Sequence, residues 1–347
     1  MNIVNQFPDR TIDIDNQKFL YFGGTAYLGL PTNKAFQKII IQNIQKWGTS
    51  YGSSRNANIQ LAAYEDSENY LAKFIHSEAT VTISSGSLAG KLVIEQLTYD
   101  GNTFFYLPNV HNAIKANEMF PVYIENQLNS RLFDNTIEKI TILTDAIPVT
   151  CIEPIDLSFI EKIPSTKEIT LVLDESHSLG IIGENGCGYY ESIGYQNIKN
   201  KIIISSLGKA MGITGGIIGG SQKFISKIKT LGNYVSGAGM NPGYAISITE
   251  AKAIYTNQIQ KLKNNLEYID TYLIKNKNLD FNVNYPILYP KIVGMHKILA
   301  QHHIIITNFK YPNEAGELNR IIITANHTKT DLKKLITILN NISNSQQ

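Results

Sequence analysis

Two short segments hold the side chains best suited to chemistry. The first is Leu171-Val172-Leu173-Asp174-Glu175-Ser176-His177-Ser178-Leu179-Gly180. An apolar run ends in an acid, and a histidine follows three residues later. Open α/β proteins place ligands at the carboxyl edge of their strands. A carboxylate there needs a partner or water, and a protonated ring nitrogen of a cofactor is a natural partner. Glycines 180, 183, 186 and 188 form a turn-rich stretch able to pass close to such a ligand. A plain structural reading explains the segment equally well: Asp174 caps a helix or holds an ion pair, and His177 is a satisfied neighbour. An Asp-x-x-His pair can also open a metal site. No third and fourth ligand stand at a recognisable spacing, so no metal is expected.

The second segment is Ile203-Ile204-Ser205-Ser206-Leu207-Gly208-Lys209-Ala210-Met211-Gly212, followed by Gly215-Gly216. An apolar run enters small residues that leave room for something bulky beside Lys209. A lysine in a low-charge pocket can attack a carbonyl through its neutral amine. Pyridoxal phosphate is the cofactor whose chemistry uses such a Schiff base, with an acid facing its pyridine nitrogen. An ordinary surface lysine after a turn is the competing reading. A nucleotide loop fits poorly: Ala210 follows Gly208-Lys209 where a Walker motif needs Ser or Thr, and no Gly-x-Gly-x-x-Gly turn is completed.

The elements that must position these groups alternate along the middle of the chain. Strands are predicted over Ala79–Ser84, Thr103–Leu107, Ile140–Thr144, Ile169–Leu173, Ile202–Ser205 and Ile217–Gly219. Helices are predicted over Leu88–Leu97 and His111–Glu118. Such β-branched runs separated by helices indicate an α/β fold with a mostly parallel sheet covered on both faces. Further on, Ile246–Leu273 reads as one long helix. Segments around Ile304–Thr307 and Ile321–Thr324, then Lys329–Asn341, read as strand, strand and amphipathic helix. The implied organisation is an N-terminal segment, residues 1–45, packing with a small C-terminal α+β domain, residues 251–347, around a large domain over residues 46–250. The last residues, Ser343–Gln347, are expected to fray.

With 347 residues the chain exceeds one typical domain. Its 43% apolar content excludes disorder over most of its length. A formal charge of only +2 gives no net field to attract nucleic acid, and none is expected as a partner. No run approaches the roughly 20 apolar residues of a membrane span. Residues Met1–Asp15 lack the apolar core of a signal peptide. The two cysteines, Cys151 and Cys187, do not make a disulfide framework or a four-cysteine metal site. A cytoplasmic enzyme that binds a small molecule is the simplest reading. His76, His296, His302 and His303 show no site context.

In combination these segments resemble the fold-type I pyridoxal-phosphate enzymes, and among them the α-oxoamine synthases. That group includes 8-amino-7-oxononanoate synthases and 2-amino-3-ketobutyrate CoA ligases, within the class I/II aminotransferase superfamily. The resemblance runs from about Tyr21 to Leu339. Asp174 to Gly180 is similar to the family's Asp-Glu-Ala-His-Ser-x-Gly segment, and Ser206 to Gly212 is similar to its Schiff-base segment. Ala26-Tyr27-Leu28-Gly29-Leu30 and Tyr51-Gly52-Ser53-Ser54-Arg55 resemble its N-terminal motifs. Arg320 with Thr324-Ala325-Asn326-His327-Thr328 and Asp331 resembles its C-terminal pattern.

The resemblance implies a role for each matching position. Lys209 would hold pyridoxal 5'-phosphate, Asp174 would pair with its pyridine nitrogen, and His177 would bond its phenolic oxygen. His111 would stack on the ring. Gly86, Ser87 and Leu88 open a helix whose N–H groups would meet the phosphate, and Ser206 would add a hydroxyl. Arg320 would clamp a substrate carboxylate. Arg55 suits loop support or a subunit contact better than substrate. Catalysis would rest on Lys209, His111, His177 and Asp174. The implied activity is a transferase reaction on a small amino acid, foremost a decarboxylative condensation with an acyl-CoA thioester giving an α-amino ketone. A homodimer is implied too.

Several positions depart from the family pattern. Ile114 replaces a Ser, Tyr64 stands for a histidine, and Ile59 for a glycine. Ala146 and Val149 replace a Gly and a substrate-side Ser. Ser236 to Pro242 lacks the Thr expected to reach the partner subunit. The N-terminal stretch reads as short for the family. These changes keep two alternatives open: an aminotransferase or other amino-acid enzyme of the same fold, and a non-catalytic binding or regulatory protein that retains it.

Overall fold

The computed structural model describes residues 2–309 and 317–344. Of the tail expected to fray, residues 345–347 lie outside the described residues. In chain order, β1 (Thr11–Ile14) and β2 (Gln17–Phe22) precede α1 (Lys34–Trp47) and α2 (Ala62–Phe74). Next come β3 (Ala79–Ile83), α3 (Gly86–Tyr99), β4 (Thr103–Tyr106) and the short β5 (Phe120–Pro121), β6 (Tyr123–Ile124) and β7 (Gln127–Leu128). Long strands follow: β8 (Glu138–Asp145), β9 (Lys167–Asp174), β10 (Ile198–Ser206) and then β11 (Gly216–Gly220). Helices α4 (Gln222–Ile228), α5 (Gly232–Ser236), α6 (Pro242–Glu250) and α7 (Lys252–Tyr272) lead to β12 (Leu279–Phe281) and β13 (Ile287–Pro290). The chain closes with α8 (Met295–Gln301), β14 (Ile304–Phe309), β15 (Leu318–Ile322) and α9 (Lys329–Asn344).

These elements form two compact units, one of Met1–Gln37 with Ala253–Gln347 and the other of Lys38–Lys252. The larger unit holds a seven-stranded sheet in the order β3-β11-β10-β9-β8-β4-β5. Pairs β10–β9, β9–β8, β8–β4 and β4–β5 are parallel, and β11 runs antiparallel to both its neighbours. The fold is therefore mixed α/β with a mostly parallel sheet.

Strand alternation explains why the central strands read as continuous apolar runs. Leu143, Val172, Ile202 and Ile204 pack on one face against α3 and α4, through Leu92, Val93, Phe224 and Ile225. Ile140, Ile142, Leu171 and Leu173 face the other way, against Phe159, Ile160, Ile163 and Ile193. With both faces covered, these strands have little need for polar alternation.

The smaller unit holds a six-stranded sheet, β1-β2-β14-β15-β13-β12. Several of its motif residues are structural. Thr328 and Asp331 cap α9 reciprocally: Thr328 N donates to Asp331 Oδ2 at 2.9 Å, and Asp331 N donates to Thr328 Oγ1 at 3.3 Å. Arg10 grips Asp331 through two hydrogen bonds of 2.8 and 2.9 Å. His327 stacks on Phe22, accepts from Thr324 N at Nδ1, and reaches the Tyr21 carbonyl from Nε2. Burial lowers its pKa to about 4, so it is neutral with the proton on Nε2. Gly29 lies so close to Asn326 that a Cβ there would meet its amide at 2.3 Å.

Two expected elements differ. Residues 111–118 do not form a helix: only a 3-10 turn, Asn112–Ile114, is present, and Lys115 is extended. The His111 ring accepts from Ala113 N, a local bond that competes with the helical ladder. The long helix over 246–273 is two helices, α6 and α7, broken at Ala251. Among the described residues no helix is long and apolar enough to cross a membrane.

Candidate active site

The carboxyl edge of the large sheet gathers most of the groups singled out in the sequence. Strand β9 ends at Asp174 and β8 ends at Asp145, and the two acids are register partners. Asp174 is buried, and its Oδ1 accepts from Ser176 N at 2.9 Å. Its Oδ2 lies 3.9 Å from Nδ1 of His111. That contact is not an ion pair. Nδ1 of His111 already accepts from Ala113 N at 3.2 Å, so it carries no proton. Burial pushes the His111 pKa down, Asp174 opposes this, and nearby Lys209 assists it. A buried carboxylate thus faces a neutral ring, an arrangement that favours an incoming cation.

Asp145 is the residue that sequence reasoning missed. Its Oδ1 accepts from His111 N at 3.0 Å and so fixes the turn that carries the imidazole. Burial, then the charge of Asp174, raise its pKa well above the ordinary range. The available signal was simple: an acid ends the Ile140–Thr144 run just as Asp174 ends the next.

Lys209 lies on the hairpin connection between β10 and β11. The loop is closed by Leu207 N to the Gly215 carbonyl and by Ile213 N to the Leu207 carbonyl. Nζ of Lys209 lies 2.9 Å from Nε2 of His177.

The first turn of α3 adds N–H groups. Ser85 is the N-cap, and its Oγ accepts from Leu88 N at 3.1 Å. The Leu88 N–H is therefore committed to the cap. Gly86 has β10 directly against it: a Cβ there would lie 2.9 Å from Cα and N of Ser206. Ser206 N donates to Ser176 Oγ at 2.9 Å, and its own hydroxyl accepts from Gly208 N at 3.3 Å. The helix start, the Ser206 hydroxyl and the lysine loop thus share one edge. That is the setting for an anion.

A family model for aminotransferase class I and II matches residues 18–339. The chain belongs to that family. An 8-amino-7-oxononanoate synthase of Petrotoga mobilis is 26% identical over 346 residues, covering 92% of this chain and 87% of that protein. One from Thermoanaerobacter pseudethanolicus is 25% identical over 344 residues, covering 92% and 86%. Among solved structures, a serine palmitoyltransferase from S. paucimobilis superposes with a TM-score of 0.80 at 15% identity, covering 99% of this chain and 92% of that one. The resemblance to α-oxoamine synthases within fold type I extends over nearly the whole chain.

Other motif residues of this class I and II aminotransferase family member serve packing. The glycines after His177 pack against one another and the neighbouring turn. A Cβ on Gly183 would meet the Gly188 carbonyl at 2.3 Å, and one on Gly186 would meet the Gly180 backbone at 2.8 Å. They wrap Glu175, which is fully buried and accepts from Tyr189 N, Tyr190 N and the Ser178 hydroxyl. Burial raises its pKa to about 7 against those bonds. Arg55 pairs with Glu68 at 2.7 Å, donates to Thr82 and lies over the Tyr64 ring. Two departures from the family pattern touch each other: the Tyr64 hydroxyl donates to the Met240 carbonyl at 2.7 Å. In the smaller unit, the Arg320 guanidinium lies over Phe309, and its buried Nε and Nη1 have no hydrogen-bond partner among the described residues.

Proposed function

We propose that this chain is a pyridoxal-phosphate-dependent transferase acting on a small amino acid, foremost by decarboxylative condensation with an acyl-CoA thioester to give an α-amino ketone. The observation that carries the proposal is the approach of Lys209 Nζ to His177 Nε2, 2.9 Å, on the sheet edge that ends in buried Asp174. The residues fit the cofactor. Asp174 lacks a cation in His111, and Gly86 lets the start of α3 approach the Ser206 backbone closely, which gathers helix N–H groups and a hydroxyl suited to a phosphate. When bound, pyridoxal phosphate supplies an electron sink through its protonated ring.

The chain's own residues take the remaining roles. Asp174 would keep the ring nitrogen protonated by its charge. His177 would bond the phenolic oxygen, and His111 would offer a neutral imidazole to the ring. Gly86, Ser87 and Ser206 would hold the phosphate, with Leu88 shaping the turn through its bond to Ser85. Lys209 would hold the cofactor and serve as the proton carrier, with His177 within reach of its amine. Arg320 would take the substrate carboxylate, a role supported by two buried nitrogens without a partner among the described residues. The protein is proposed to work as a cytoplasmic homodimer.

Transamination is the second reading. Ala146 and Val149 on the turn after β8, and Met240 anchored by Tyr64, alter positions that the acyl-CoA reaction would use.

One experiment separates the readings. The holoenzyme is given candidate amino acids with and without acyl-CoA, and free thiol and carbon dioxide are followed. Release of both supports condensation. Transfer of the amino group to a keto acid without CoA selects transamination. Neither reaction, with the cofactor still bound, would overturn the enzymatic reading and leave a binding protein. Loss of the visible cofactor absorbance in Lys209→Ala tests the attachment itself.

A further inference from the structure

We propose that the larger unit carries a second site, a solvent-open zinc site built from His76, Cys187 and Glu191. One ligand atom from each residue lies within 4.8 Å of the others. His76 Nε2 and Glu191 Oε2 are 3.3 Å apart, and Cys187 Sγ lies 4.0 Å from the same carboxylate oxygen. Neighbouring ligands on a tetrahedral zinc are about 3.3 to 3.8 Å apart, given its usual bond lengths. The two spacings to Glu191 match that edge to within a few tenths of an ångström, and the third lies within 4.8 Å. A thiolate with an imidazole and a carboxylate favours zinc over magnesium or calcium, which take oxygen sets.

The backbone presents these groups from two sides. His76 follows the end of α2 at a φ of 55°. Ser77 N reaches back to the Ala72 carbonyl at 3.0 Å and His76 N to the Lys73 carbonyl at 3.4 Å, so the helix ends in a turn whose left-handed position is usually glycine. Here a histidine occupies it and directs its ring toward Glu191. Cys187 and Glu191 come from the turn beyond β9. The sulfur is buried, whereas the imidazole and carboxylate are about half exposed. The sulfur thus forms the floor and the other two ligands the rim, leaving a fourth position to water. The site shares no residue with the sheet edge around Lys209. A bound ion would staple the end of α2 to the glycine turn that encloses Glu175.

Cobalt(II) is the probe, because a thiolate ligand gives a near-ultraviolet charge-transfer band and a tetrahedral site gives strong visible bands. Titration of the holoenzyme is expected to saturate at one cobalt per chain, and zinc should displace it. Both bands should disappear in His76→Ala and in Cys187→Ser, and persist in Cys151→Ser. The His76 change is at an exposed position, so it remains informative if the buried cysteine variant fails to fold. Absence of a thiolate band in the wild type would overturn the proposal. So would its survival in His76→Ala, or its loss in Cys151→Ser.

Discussion

Asp145 and Asp174 stand opposite each other in register at the carboxyl ends of β8 and β9, both buried. Burial, and then the repulsion between two carboxylates so placed, make Asp145 take up its proton more readily. The folded state therefore binds this proton more tightly than the unfolded chain. Stability from this group is present in acid and is lost as pH rises through the raised folded value. Asp145→Asn keeps an acceptor for His111 N and removes the repulsion. It should raise the melting temperature of the cofactor-free protein at neutral pH, with the gain shrinking toward acid. Melting curves from pH 4 to 8 check this, and an equal gain at every pH would refute the charge explanation.

Glu175 makes a second pH prediction. Its folded pKa of about 7 lies above the ordinary 4.5, so its contribution falls between those two values as pH rises. His327, with a pKa of about 4, works in the opposite sense between its ordinary 6.5 and that value. The wild-type profile mixes both, so the difference between wild type and Glu175→Gln is the useful quantity. That difference should change between pH 4.5 and 7 and level off above. Glu175→Ala leaves the Tyr189 and Tyr190 N–H groups buried without an acceptor, and should cost about 2–4 kcal/mol in urea unfolding.

Gly86→Ala tests the close approach of α3 to Ser206. The added methyl would sit 2.9 Å from the Ser206 backbone, so either α3 or β10 must shift. Overpacking of this kind costs about 1–3 kcal/mol. Affinity for pyridoxal phosphate should fall at least tenfold in equilibrium titration, whereas an equivalent change at Gly232, which has open space around it, should do little.

Arg55→Ala should cost stability rather than chemistry. Among the described residues it leaves buried Glu68 with Lys229, at 3.3 Å, and the Thr82 donors. Removing one partner of a buried pair costs about 3–5 kcal/mol, and the remaining partners reduce that toward ~3. Denaturant unfolding reads the loss, and unchanged turnover in the folded fraction separates it from a substrate role.

Much of this was legible in the sequence, because the groups that matter end apolar runs. Asp174, His177 and Lys209 follow strands whose β-branched character identifies them without tertiary context. Asp145 was less visible because its importance depends on register, which a single chain does not display. The turn at residues 111–118 was misread because the His111 ring satisfies the backbone locally, where a helical ladder was expected. The glycines after His177 read as a turn able to pass close to a ligand, and the fold also uses them to enclose a neighbouring acid. His76 and Cys187 are far apart in sequence, and only the fold brings them together.

The antiparallel course of β11 has a consequence for assembly. The neighbouring parallel strands β8, β9 and β10 are joined by long crossovers, but β10 and β11 are joined by the short loop that holds Lys209. Closing a short loop costs less entropy than closing a long one. The lysine's mount can therefore form as a local event in folding, while the acids and histidines must wait for distant segments to dock. A chain arrested with only β10 and β11 paired would already hold its nucleophile in place, with nothing yet to receive a cofactor's charge.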